Sequence, residues 1–286
     1  MRRRRLLGLA ALGASGQQVA DTAFDPPIGK PAFALGKGPV TGIDEAHHNF
    51  HTVGGRYQTF ARLLRKDGFV VRAAGGPCDV FVVANALHAS NVNSWELPNL
   101  PAFSIREVAG VAEWVRGGGA LLLIADHQPF PGAASTLAAA AFGVTFHNGY
   151  AGDGLIRFDK AGGSLREHAI TRDIDEVMTF QGSAFRADGG EPLLVFGPDA
   201  VSTVRSTVER APIGGWLQGA VLKHGRGRVA VFGEAAMFSA QLTGAQRRPM
   251  GMNHPDAGQN PRFLLNVMRW LSSGPRVGRA PLLSSR

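Results

Sequence analysis

The stretch EWVRGGGALLLIADHQPF, residues 113–130, decides the fold. It opens on the end of an amphipathic helix, which Gly117-Gly118-Gly119 terminates. Ala120–Ala125 follows as a continuous apolar run, the mark of a strand buried on both faces of a sheet. Asp126-His127-Gln128 then puts polar groups where that strand ends. Upstream, Ser104-Ile105-Arg106-Glu107 is a capping-box signature for a helix reaching Val115. Downstream, Pro131-Gly132 leads into an Ala-rich helix, Ala133–Phe142, closed by Gly143.

The same alternation extends to both sides. Val40–Ile43 is the first strand. Tyr57–Lys66 carries Phe60, Leu63 and Leu64 at helical spacing and stops at Asp67-Gly68. Phe69–Arg72 and the apolar run Val80–Ala84 are two more strands. Strand, helix, strand in repetition implies right-handed crossovers and a parallel sheet covered on both faces, so the fold class is α/β. Residues 145–227 are less regular, with strands at Val177–Phe180, Leu193–Phe196 and Gly219–Lys223. The last of these pairs with Arg228–Phe232 across a turn-rich link, a β-hairpin near the C-terminus. Asn260 reads as the N-cap of a final helix with Pro261 at its first position.

Length and composition narrow the function classes. The chain has 286 residues, 44% hydrophobic and 18% charged, which describes a packed globular body. Its formal charge is +8, yet four of its 30 basic residues are Arg2–Arg5, in a stretch of twenty without an acid. The remainder holds 26 basic against 22 acidic residues, a charge of +4. No basic stripe is left, so nucleic acid is not an expected partner. Arg2–Arg5 followed by the apolar Leu6–Ala14 and small or polar Ser15–Gln18 has the layout of an export signal, with a twin-arginine core. The apolar run falls short of the roughly 20 residues a membrane span needs. The expected organisation is an export signal at 1–20, an extended Pro- and Gly-rich lead-in at 21–39, one α/β domain at 40–273 and a flexible tail at 274–286, in an exported, periplasmic protein.

Chemistry-bearing residues gather after strands. Asp44, Glu45, His47, His48, Asn49 and His51 follow the first strand, Asn85 and His88 another, Asp126, His127 and Gln128 the strand of the opening stretch, and Glu234 the last. In an open α/β sheet ligands bind outside the carboxyl ends of the strands, which makes this rim the candidate site for a small-molecule substrate. We expect Asp44, Glu45, His48, Asp126, His127 and Glu234 to carry catalysis, with His47, Asn49, His51, Asn85, His88 and Gln128 binding. Three readings of the rim stay open. His48, Asp126 and His127 have the donors for a divalent metal such as zinc, although no H-E-x-x-H is present. His127, oriented by a carboxylate, would serve metal-free acid/base catalysis. A hydrogen-bonded network that only fixes loops would need the same residues. Nucleophilic catalysis has no support, since there is no G-x-S-x-G elbow and the lone Cys78 precedes a strand instead of following one.

The opening stretch, together with IDEAHHNFHT at 43–52 and RVAVFGEAAMFSAQ at 228–241, resembles class I glutamine amidotransferase-like domains, in particular ThuA-like and related exported branches. The resemblance spans about residues 39–272. It implies a flavodoxin-like sheet, a strand-end pocket and, for some relatives, a carbohydrate-linked role. Where amidotransferases carry a G-x-C-x-G elbow, this chain has Ala125-Asp126-His127-Gln128-Pro129, so glutamine hydrolysis is not expected. The function expected is acid/base or metal-assisted hydrolysis of a small polar, sugar-like molecule. The alternative is a non-catalytic carbohydrate- or small-molecule-binding domain.

Overall fold

The computed structural model describes residues 18–274. A nine-stranded sheet forms the centre. Its strands are β1 (Val40–Ile43), β2 (Val70–Ala73), β3 (Val80–Ala84), β4 (Ala120–Ile124), β5 (Val144–His147), β6 (Ala184–Ala187), β7 (Glu191–Val195), β8 (Leu217–His224) and β9 (Gly227–Phe232). The helices are α1 (Gln58–Lys66), α2 (Ile105–Arg116), α3 (Phe130–Phe142) and α4 (Asn260–Ser272). The spatial order is β2-β1-β3-β4-β9-β8-β6-β5, with β7 also paired to β8. β2, β1, β3, β4 and β9 run parallel, whereas β8, β7, β6 and β5 add antiparallel pairings. The sheet is therefore mixed, which corrects the mostly parallel one expected from the sequence. The antiparallel part comes from the irregular stretch, where short links such as Gly225-Arg226 leave no room for a crossover helix.

Alternation along the buried strands sorts side chains to two cores. Val80, Val82, Ala84, Leu122 and Ile124 pack with Phe60 and Leu64 of α1 and Phe263, Leu264 and Val267 of α4. Phe81, Val83, Leu121 and Leu123 pack on the other face with Val111 and Val115 of α2 and Leu137 of α3. Helices thus cover both faces, and burial on both sides explains why β3 and β4 are apolar at every position.

Local signals set the helix ends. The Ser104 side chain accepts from Glu107 N–H while Glu107 accepts from Ser104 N–H, the reciprocal cap read from the sequence. Gly143 closes α3 at φ 63°, a left-handed position that costs glycine nothing. α3 starts three residues before Ala133, with Pro131 in its first turn, where a missing N–H is harmless. The Asn260 cap is corrected: Gln259 is the N-cap residue and Asn260 is the first helical one. Asn260 instead accepts from Met178 N–H and donates to the Met178 and Met237 carbonyls, tying α4 to two neighbouring segments.

Residues 21–39 contain no helix or strand and lie along α1. Arg62 donates to the Thr22 carbonyl, Lys66 pairs with Asp25 at 2.6 Å, and Asp67 accepts from Ala32 N–H. Ahead of them, Val19–Ala20 pairs with Gln241 and Leu242. Arg2–Arg5 and Leu6–Ala14, and the tail from 275 onward, lie outside the described residues. No helix among the described residues is long and apolar enough to cross a membrane.

Cys78 is 2% exposed, and burial pushes its thiol up to about 12. A thiol so placed stays protonated and inert. Cys78→Ala should keep any activity within a few-fold and cost on the order of 1 kcal/mol of stability in urea unfolding. Loss of activity in a folded Cys78→Ala protein would return the thiol to the chemistry.

Candidate functional site

The carboxyl ends of β3, β4 and β9 meet at one edge because the strands are parallel and in register, Ala84 opposite Ile124 and Ile124 opposite Phe232. A cavity of about 430 Å³ opens there. That volume suits a small molecule. Asn85, Asp126, His127 and Glu234 line it from the strand ends, and His51 lines it from the loop after β1.

Asn85 organises this floor. It sits at φ 53°, a left-handed conformation asparagine tolerates better than most residues. Its N–H donates to the Ile124 carbonyl, its own carbonyl accepts from Phe50 N–H, and its Oδ1 accepts from Asp126 N–H at 2.9 Å. That last bond identifies Oδ1, so the atom 3.3 Å from His51 Nδ1 is the donor Nδ2. His51 Nδ1 must then accept, which places the ring proton on Nε2. Burial also drives His51 far toward its neutral form, and Arg56 adds to the effect. Nε2–H is buried without a partner.

Asp126 Oδ1 accepts from His127 N–H at 2.8 Å. His127 Nδ1 lies 2.9 Å from the Gln128 carbonyl. A carbonyl can only accept, so Nδ1 is protonated and Nε2 is the basic nitrogen of the neutral ring. The imidazole stacks on Tyr150 at 4.2 Å and 13°, with Trp95 and Phe130 rings 5.6 and 5.9 Å away. Glu234 is fully buried. Burial first, and the charge of Asp126 second, push its carboxyl well above the usual range. Bonds from Ala236 and Met237 N–H at 2.6 and 2.7 Å oppose that shift without cancelling it.

The other residues expected at the rim lie elsewhere. His48 is exposed at φ 47° and does not line the cavity. The backbone turn there sends it outward, and His51, three residues on, is the imidazole at the floor. Exposed Glu45 accepts from Val53 N–H and shapes the same loop. Asn49 accepts from His47 N–H and donates to the Ala84 carbonyl. His88 caps the short turn at Ala89–Asn91. Gln128 donates to the Trp95 carbonyl and to Ser206 Oγ, holding a wall loop. Among the described residues no three His, Cys, Asp or Glu side chains gather as a metal would require. With His48 turned away, the His48, Asp126 and His127 set does not form a zinc shell.

Asp44 and His47 belong to a second buried cluster. His47 Nδ1 is 2.8 Å from Asp44, its Nε2 is 3.3 Å from Glu107, and its ring lies on Phe103. Burial works against the charged ring, but Asp44 and then Glu107 outweigh it and raise the pKa above 6.5. A raised folded value means the pair's stabilisation is complete below the unfolded pKa and is lost as pH rises through the folded one. The stability advantage over His47→Gln should therefore shrink as pH rises above about 6.5 in urea titrations, and a constant difference would contradict the charged pair.

Tyr150, Trp95, Arg56 and Arg205 also line the cavity, and none was legible as a site residue. They sit on loops and short strands whose approach depends on tertiary packing, with no local motif to mark them.

No protein-family model matches the chain, and no curated protein does. Among solved structures it is similar to a ThuA-like protein from Bacteroides uniformis, at 14% identity over 85% of this chain and 95% of that one, TM-score 0.47. A ThuA-like protein from Parabacteroides merdae matches at 10% over 87% and 93%, TM-score 0.44. A beta-galactosidase from Bacillus circulans matches at 10% over 87% of this chain and 32% of its own, TM-score 0.44.

Proposed function

We propose that the strand-end cavity is the active site of an enzyme that hydrolyses a small hydroxylated, sugar-like molecule by acid/base catalysis. The observation that carries this reading is the convergence of Asp126, Glu234 and His127 in one aromatic-walled cavity, with Glu234 biased toward its protonated form. A carboxyl held toward its protonated form is what a general-acid role requires. In this reading His127 Nε2 takes a proton from an attacking water. Glu234, the carboxyl biased toward its protonated form, gives a proton to the leaving oxygen, and the proton that His127 took from water then passes back to Glu234, so that the cycle closes. The Trp95 ring offers apolar surface to the C–H side of a sugar, while Tyr150, with His127 on one face and Arg205 on the other, holds the imidazole in place.

The parallel order β2-β1-β3-β4-β9 supports a flavodoxin-like core, with β8 and β9 as its hairpin, in an amidotransferase-like branch that has lost the thiol. Export to the periplasm belongs to the same proposal and rests on Arg2–Ala14 alone. A binding module is the second reading. It is favoured by Glu234 having both oxygens already occupied by backbone N–H groups. The test is turnover of a panel of 4-nitrophenyl glycosides by the full chain and by Asp126→Asn. Turnover that the variant loses supports the enzyme; turnover unaffected by the variant, or none across the panel, removes this reading.

A further inference from the structure

The cavity's two arginines are not committed to carboxylates. Arg56 lies with Cζ 3.8 Å over the Phe50 ring and donates to the Phe50 carbonyl, while its Nε is buried without a partner. Burial works against its charge, and no acid offsets that cost. Arg205, exposed just after the strand Val201–Val204, lies 3.8 Å over Tyr150. Among the described residues neither forms an ion pair. Arg62 and Arg269, outside the cavity, pair with Asp25 and Asp67. A guanidinium stacked on a ring keeps its in-plane N–H edges free for a planar, bidentate acceptor. His51 adds a buried Nε2–H that lacks an acceptor. A buried donor left unpaired in a cavity wall is costly until something accepts from it.

Resting on the reading of this cavity as a site for hydroxylated molecules, we propose that its substrate is a sugar acid. Its carboxylate is held by Arg56 and Arg205, with the His51 Nε2–H as a further donor. A carboxylate fits better than a phosphate ester because it is planar like the guanidinium edge and carries a single charge. The near-double charge of a phosphate would face Asp126 in the same space.

The test is calorimetric titration of the full chain with glucuronate, galacturonate and mannuronate, each against its parent hexose and the hexose 6-phosphate. At least one hexuronate is expected to bind roughly tenfold or more tighter than its neutral parent, and Arg205→Gln to remove most of that preference. Arg186→Gln is the control, because Arg186 stacks on Trp216 away from the cavity and its loss should leave binding unchanged. Equal binding of acid and parent, or a preference that survives both Arg205→Gln and Arg56→Gln, overturns the inference while leaving the sugar site intact. Tighter binding of the 6-phosphates overturns the choice of carboxylate. No binding by any of the nine compounds overturns the inference and the sugar site together.

Discussion

Replacing Asp126 with Asn is expected to lower turnover by roughly 10²–10⁴-fold, the range a positioned acid or base supplies. The substitution is close to isosteric. Its amide oxygen can still accept from His127 N–H, so the strand end should keep its shape. What disappears is the negative charge beside Glu234, one of the two causes that push that carboxyl up. The Glu234 pKa should therefore fall part of the way, since burial remains, and the alkaline limb of the pH–rate profile should move to lower pH with it. Folding should not suffer, since a like charge next to a buried carboxyl has been removed. The combination of lost kcat and an unchanged or raised Tm separates a chemical role from a structural one. Activity within a few-fold of the parent would leave Asp126 as a loop-fixing residue.

Phe232→Ala is expected to cost about 3–5 kcal/mol, enough to unfold much of a marginal domain. Phe232 is fully buried at the end of β9. Its ring meets Phe238 at 5.0 Å and Phe263 of α4 at 5.7 Å, both edge to face. Opposite it β8 carries Gly219, where a Cβ would come within 2.8 Å of the ring, so the cross-strand partner has no side chain to fill the void. Phe232→Leu should cost markedly less. Urea unfolding of the three proteins measures both steps, and equal midpoints would show that the aromatic cluster relaxes freely.

The sheet's parallel half was legible because each strand announces itself. Ala120–Ile124 is apolar at every position and bracketed by glycines and a polar tip, and Val80–Ala84 repeats the pattern. The strand-end logic then brings Asn85, Asp126, His127 and Glu234 to one cavity without any knowledge of side-chain geometry. It does not say which of three imidazoles in five residues turns inward. His48 and His51 differ by a backbone turn, and a left-handed residue in a loop leaves no mark in the residue types around it. Asp44, although it follows β1 directly, is taken up by His47 and the capping residue Glu107, a pairing across 60 residues that only the packed fold creates. Tyr150 and Arg205 were hidden for a related reason. The two-residue strand Tyr150–Ala151 and the strand Val201–Val204 that ends just before Arg205 are stabilised by one another, Thr203 opposite Tyr150, and no periodicity marks a pair of such length.

The cavity is assembled from two sources that differ in how tightly they are bound into the fold. Its floor stands on strand ends locked by backbone bonds through Asn85, and its far wall is borrowed from Tyr150 and Arg205 in the stretch between β4 and β8. Such a division uncouples two evolutionary variables. Substitutions at Arg205 can change which molecule is admitted, whereas Tyr150 is stacked on His127 and keeps that imidazole in position. A directed-evolution library confined to Arg205 and the turn that follows it would vary the mouth of the cavity while leaving the strand ends as they are.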